Sequence, residues 1–206
     1  MRLYMIRHGQ TTVNAQGVFY GEDEANAMLT DKGRDQARSI APVLSKIPFD
    51  AVYSSDYARA IETQRLALPG VEGIRTPLLR EIFPGTQLGG KPYSYVREHP
   101  EIFGDWTPSK DQRGYSPVGG ESLDDVSVRL REFLGQLESD PKENVAAFVH
   151  NGILGCMLRL VLGATDFCRS AAASKNCAVH VFEYDGKAWK LLAWNYMVPL
   201  NGETIN

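Results

Sequence analysis

Five consecutive residues, Val145-Ala146-Ala147-Phe148-Val149, carry no charge and no polar side chain, and they constrain the fold more than any other feature of this chain. A strand with one wet face alternates apolar with polar residues. A run apolar at every position needs cover on both faces, which is the situation of a central strand in a helix-flanked parallel sheet. Residues 3–6, ending at a glycine turn, and residues 49–53, interrupted by Asp50, are similar short runs. Longer amphipathic stretches separate them. Thr30 can cap a helix with Ala37, Ile40, Ala41 and Leu44 on one side, which Pro42 must kink or shorten. A second helix is expected to start near Asp56. In a third, Ser122 and Asp125 resemble a capping box, and Leu123, Val126, Leu130, Phe133, Leu134 and Leu137 follow at helical spacing. Residues 153–162 read as a buried helix, and residues 178–184 with 189–194 around Asp185-Gly186 as a terminal hairpin. The expected class is α/β, a three-layer sandwich with a mixed, mostly parallel central sheet between helices.

The 206 residues suit one domain, 1–206. Lys plus Arg is 22 and Asp plus Glu is 25, a formal net charge of −3, which argues against a nucleic acid or an anionic membrane as partner but not against a small anion. The opening residues reach Arg7-His8 after a very short apolar stretch, without the hydrophobic region of a secretory signal, and no run approaches the length of a membrane span. Three cysteines, Cys156, Cys168 and Cys177, without C-x-x-C spacing fit reduced thiols in the cytoplasm. Residues 83–120 break the rhythm, holding 7 of the 19 glycines and 5 of the 11 prolines, with Tyr93, Tyr95, Trp106 and Tyr115 among Lys91, Arg97, Lys110 and Arg113. Such a stretch is either a lid over a site or a surface excursion.

In open α/β sheets the functional crevice lies beyond the carboxyl ends of the strands. The residues found there are Arg7-His8-Gly9-Gln10-Thr11, then Ser54-Ser55-Asp56-Tyr57-Ala58-Arg59, then His150-Asn151-Gly152. A single histidine at a strand end is more often a satisfied structural group than a nucleophile. Arg59 is more telling, because the first turn of a helix disfavours a cation unless an anion is to be bound there. Its planar fork fits two phosphate oxygens, and helix N-termini add amide donors. A phosphate pocket holding two histidines, without metal-ligand spacing, permits transfer through a phosphorylated imidazole. An alkoxide leaving group then needs a proton, and Glu81, just before the Gly/Pro-rich stretch, is the best-placed carboxyl, although a solvated surface role is its plainer reading.

Taken in order, these residues resemble the histidine phosphatase superfamily, the phosphoglycerate mutase-like proteins. The resemblance rests on Arg7-His8-Gly9-Gln10-Thr11 with Asn14 and Gly21, and on Leu29-Thr30-Asp31-Lys32-Gly33 with Gln36-Ala37. It continues through Tyr53-Ser54-Ser55-Asp56 with Arg59-Ala60 and Thr63, Leu79-Arg80-Glu81, Gly119-Gly120-Glu121-Ser122, and His150 before Gly152. It implies that His8 is the phosphorylated nucleophile, that Arg7, Arg59 and His150 bind the transferring group, and that Glu81 is the proton donor. Asn14 matches a polar contact to phosphate or substrate, with Thr11 and Gly21 as further contributors. The resemblance also implies an enzyme that works without metal, and no cofactor is expected for this chain. One departure stands out: Asn151 follows the second histidine where the family usually has glycine, so its side chain must turn away or join the substrate contacts. His99 and His180 match no family block and read as ordinary surface and strand residues.

The expected activity is that of a phosphomonoesterase of the phosphatase branch, acting on a small phosphorylated metabolite. The alternatives are a cofactor-dependent phosphoglycerate mutase, whose insertion after the acid tends to be fuller and more basic, and a non-catalytic phosphate-binding module. The intact set of histidines, arginines and glutamate speaks against the last.

Overall fold

The computed structural model describes residues 1–21, 27–99, 119–164 and 173–198. Among these, β1 (Arg2–Arg7), β2 (Ala51–Ser55), β3 (Ile74–Thr76), β4 (Asn144–Val149), β5 (Val179–Tyr184) and β6 (Trp189–Tyr196) form one sheet in the order β3-β2-β4-β1-β5-β6. β3, β2, β4 and β1 run parallel, whereas β5 and β6 form the antiparallel hairpin at one side. The sheet is therefore mixed and mostly parallel.

The charge-free run lies in β4, between β2 and β1, and every residue of that strand is buried. Its alternation decides the two cores. Val145, Ala147 and Val149 pack with Leu3 and Met5 against α5 (Leu123–Ser139) and α6 (Asn151–Leu162). Ala146 and Phe148 face the other way, with Ile6 and Val52, against α2 (Asp31–Leu44) and α3 (Ala58–Ala67). Both faces thus need apolar side chains, the valines and the phenylalanine each stabilising by about 1.5–3 kcal/mol when fully buried. Two short helices, α1 (Thr12–Gln16) and α4 (Tyr95–Glu98), lie outside these layers.

Helix starts follow the capping residues. Thr30 accepts from the Gly33 amide at 3.0 Å, and Ser122 with Asp125 forms a reciprocal capping box at the head of α5. α2 ends at Leu44, soon after Pro42 removes a backbone donor. α3 begins at Ala58 with Tyr57 as its N-cap, near Asp56 as expected, and Ser55 Oγ accepts from the Tyr57 amide just ahead of it. β3 was not legible in the sequence: Ile74-Arg75-Thr76 is a short edge strand with no apolar run. One close approach fixes α2 beside the β1 end, since a Cβ on Gly33 would lie 2.1 Å from the Gln10 carbonyl oxygen.

Residues 83–99 of the expected lid-like insertion are described. They are pinned to residues 17–19 by backbone bonds from Phe19 N–H to Lys91 O at 2.8 Å and from Gly90 N–H to Phe19 O at 3.0 Å. Phe19, Leu88 and Val96 form a small core of their own. Residues 100–118, with Trp106, Lys110, Arg113 and Tyr115, lie outside the described residues, as does Cys168. Cys156 and Cys177 are buried thiols. Among the described residues no helix is long and apolar enough to cross a membrane.

Candidate active site

All four parallel strands end at one edge of the sheet, and each is followed by a residue singled out from the sequence. β1 and β4 are neighbours with Arg7 opposite Val149, so the next residues, His8 and His150, share a level. Their ring centroids are 5.1 Å apart, close to the spacing of adjacent strands. β2 leads through Tyr57 into α3, where Arg59 occupies the first turn. β3 leads through a 3-10 turn, Pro77–Leu79, to Arg80 and Glu81.

His8 is 1% exposed. Its Nδ1 lies 2.8 Å from the Gly9 carbonyl oxygen. A carbonyl only accepts, so Nδ1 carries the hydrogen and Nε2 is left with the lone pair. Burial, then Arg59 and Arg7, hold this imidazole well below the ordinary histidine pKa. The ring is therefore neutral near pH 7, with its nucleophilic nitrogen unprotonated. His150, fully buried at the N-cap of α6, is likewise held neutral by burial and Arg59. Among the described residues neither of its ring nitrogens has a hydrogen-bond partner, nor has the buried Nε of Arg7. Buried donors and acceptors left in this state are costly unless a ligand satisfies them.

Arg59 is 1% exposed, and its guanidinium is flanked by the rings of Tyr20 at 4.0 Å and Tyr57 at 4.8 Å. Aromatic faces stabilise the cation without neutralising its charge. Thr63 Oγ1 donates to the Arg59 carbonyl at 2.7 Å and accepts from the Gly9 amide at 3.0 Å, joining the helix to the loop after His8. Arg7 donates from Nη1 to the Ser174 carbonyl.

Glu81 reaches the same edge. Its Oε1 accepts from the amides of Ile82 at 2.9 Å and Gly152 at 2.8 Å. Gly152 is the glycine displaced by one position from the family pattern, and a Cβ there would lie 2.3 Å from Glu81 Oε1. The displaced glycine thus admits the carboxyl to the head of α6. With both amides on Oε1, any proton on the carboxyl sits on Oε2.

The remaining predicted residues divide. Asn14 belongs to the capping box of α1 and shares hydrogen bonds with Tyr93 and, at 3.5 Å, Asn176. Thr11 Oγ1 meets the Tyr20 hydroxyl at 2.6 Å and so supports the ring beside Arg59. Gly21 packs against Gly89. Asn151 Oδ1 accepts from the Ser174 amide at 2.9 Å, and the Ser174 carbonyl is the acceptor for Arg7. His180 is a buried strand residue, but it also meets Ser174 Oγ at 2.8 Å. His99 packs on Tyr95.

Sequence reasoning did not find Tyr20, Asn176 or Arg129 as parts of this edge, and it placed Tyr57 there without a role. Asn176 donates to the His8 carbonyl at 2.9 Å across a separation no local pattern reports. Arg129 holds Glu121 and the carbonyls of Leu78 and Glu81. Its only sequence signal is a position two helical turns beyond the Ser122 cap, on the side of Glu121. Among the described residues no cluster of three His, Cys, Asp or Glu side chains could hold a metal ion.

The model of the histidine phosphatase superfamily (branch 1) matches residues 3–197. The chain belongs to this superfamily. Among its relatives, a protein of Enterobacter sp. (strain 638) named probable phosphoglycerate mutase GpmB is 27% identical over 206 residues, spanning 98% of this chain and 93% of its own. An adenosylcobalamin/alpha-ribazole phosphatase of Salmonella typhimurium is 30% identical over 165 residues, 79% of this chain and 80% of its own. A mycobacterial glucosyl-3-phosphoglycerate phosphatase, solved in complex with VO3, superposes with a TM-score of 0.81 at 27% identity, over 95% of this chain and 98% of its own. The family thus carries both phosphatase and mutase names, and the fold it shares is the mixed sheet described above.

Proposed function

We propose that this member is a phosphomonoester hydrolase that passes the phosphoryl group through His8 to water. The observation that carries the reading is the state of His8: neutral, its Nδ1 tied to the Gly9 carbonyl, with cationic Arg7 and Arg59 beside it. In the first step His8 Nε2 forms a bond to phosphorus as the ester P–O bond breaks. The Gly9 carbonyl supports the positive ring that results. Arg7, Arg59 and a ring N–H of His150 offset the charge on the equatorial oxygens, the dominant form of assistance in phosphoryl transfer. The leaving oxygen takes its proton from Glu81 Oε2. In the second step the Glu81 carboxylate removes a proton from water, whose oxygen attacks phosphorus while the P–N bond breaks and returns His8 to its neutral form. Inorganic phosphate and the alcohol are the products, and the substrate is a small phosphorylated metabolite.

The GpmB-named relative favours a second reading, in which the phosphoryl group returns to another hydroxyl of a held intermediate. That reaction handles substrates bearing a further anionic group, which calls for additional cations. Among the described residues, the two other arginines of this edge are engaged: Arg80 by Asp56, with contacts at 2.8 and 3.0 Å, and Arg129 by Glu121 at 2.9 Å. This supports the hydrolase. The deciding experiment is a turnover panel with a chelator present: p-nitrophenyl phosphate, sugar phosphates, nucleotides, and 3-phosphoglycerate with and without 2,3-bisphosphoglycerate. Release of inorganic phosphate is expected. Isomerisation without release would replace the hydrolase by the mutase, and no turnover of any ester would leave a binding module.

A further inference from the structure

Glu81 follows a 3-10 turn of three residues, and a side chain on such a short connection is only as well placed as its main chain. Here the main chain on both sides of Glu81 is tied to a single ion pair. Arg129 Nε donates to Glu121 Oε1 at 2.9 Å and Nη2 to Glu121 Oε2 at 3.1 Å, a two-pronged pairing that fixes the guanidinium plane. The same guanidinium donates from Nη1 to the Leu78 carbonyl at 3.0 Å and from Nη2 to the Glu81 carbonyl at 3.3 Å. Glu121 completes the bracket, since its Oε2 accepts from the Phe83 amide at 2.9 Å while its own amide donates to the Phe83 carbonyl at 2.8 Å. The pair stands on a rigid base: Arg129 is on α5, whose Val126, Leu130 and Phe133 are fully buried, and Glu121 precedes the Ser122 capping box.

We propose that the Glu121–Arg129 pair is a positioning device for the acid: it holds the 78–83 segment so that the Glu81 carboxyl meets the leaving oxygen, and it does not act on the phosphoryl group. The inference rests on the assignment of Glu81 as proton donor. Two groups of contacts then set the acid from opposite sides, the amides of Ile82 and Gly152 on the carboxyl itself and the ion pair on its backbone. A loss of positioning has a signature that a general loss of structure lacks. Esters with a poor leaving group need the proton and slow markedly, whereas p-nitrophenyl phosphate, whose leaving group needs little protonation, slows far less.

The experiment compares kcat/KM of the full chain and its variants on p-nitrophenyl phosphate and on β-glycerophosphate. Arg129→Met is expected to lose about tenfold more on β-glycerophosphate than on p-nitrophenyl phosphate, in the same sense as Glu81→Gln, with Arg129→Lys and Glu121→Gln between it and the wild type. In the Glu81→Gln background, Arg129→Lys should add nothing to the difference between the two esters. Equal losses on both esters, or a difference that adds to that of Glu81→Gln, overturn the proposal. Should Arg129→Met fail to fold, Arg129→Lys and Glu121→Gln carry the same comparison. If Glu81→Gln itself does not separate the esters, the assignment of the acid has failed. If it separates them and the Arg129 and Glu121 variants do not, the positioning role alone has failed.

Discussion

The site has two sides, each with a pair of arginines, and the pairs are treated in opposite ways. On the side of the histidines, Arg7 and Arg59 meet carbonyl groups and aromatic faces, which leave their charge intact. On the side of Glu81, Arg80 and Arg129 are matched by the carboxylates of Asp56 and Glu121. An arginine next to a carboxylate is neutralised and serves as a brace, while one held by neutral groups keeps its field for an incoming anion. The contrast is clearest at His8, which burial, then Arg59 and Arg7, hold neutral; His150 is held neutral by burial and Arg59, and the field of Arg129 also reaches it.

The strongest test of the histidine side is His8→Ala. It is expected to lower kcat/KM by roughly 10⁴-fold or more, the scale seen when a nucleophile is deleted, and to abolish acid-labile labelling of the protein by substrate phosphate. Full activity in this variant would move the nucleophile elsewhere. Arg59→Gln should cost about 10²–10³-fold by removing one preorganised contact to the phosphoryl group. It should also raise the pKa of His8 towards its ordinary value, because one of the cations opposing protonation is gone; the imidazole resonances followed by NMR against pH report this directly. Arg80→Gln is the control from the other side: its pair with Asp56 is partly exposed, so stability should change by about 1 kcal/mol or less, with little change in His8 titration. An equal response to the two arginine substitutions would erase the contrast between the sides.

Glu81→Gln sharpens the comparison. A loss of about 10²-fold or more is expected on alkyl phosphates and a much smaller one on p-nitrophenyl phosphate; uniform slowing would show that the two sides do not divide binding from protonation. The buried histidines also make stability depend on pH. His8, His150 and His180 have lowered folded-state pKa values, His180 at about 3, chiefly through burial. Below about pH 6.5 the unfolded chain binds protons that the folded chain does not, so stability is complete above that pH and is lost as pH falls. Each histidine contributes about 1.4 kcal/mol per pH unit inside that window. Urea unfolding between pH 7.5 and 5 measures the slope, and a flat profile would contradict the buried, neutral state of these rings.

Much of this was legible in the sequence because it is local. Alternation and charge-free runs located β1, β4 and the hairpin, and capping residues located α2 and α5, since both signals depend on a few neighbouring positions. β3 was missed because an exposed three-residue edge strand has no apolar pattern to betray it. At the site, the residues that follow the strands were found by the rule that loops at the carboxyl ends carry function. Their supporting partners were not: Tyr20 beside Arg59, Asn176 on the His8 carbonyl and Arg129 behind Glu81 depend on contacts between distant segments.

The order of residues determined which chemical groups this chain can present: two histidines, two arginines and a carboxyl, each just beyond a strand or its connecting turn. Only the tertiary structure decided their states. The parallel register of β1 and β4 sets the two imidazoles side by side. Burial together with unneutralised arginines keeps them uncharged. A glycine at the head of α6 lets Glu81 approach, and Asn151, the one break in the family pattern, is turned to Ser174 and through it to Arg7. Protonation and orientation depend on the field and the solvent access at a point in space, and those arise only when segments far apart in the chain are packed against one another.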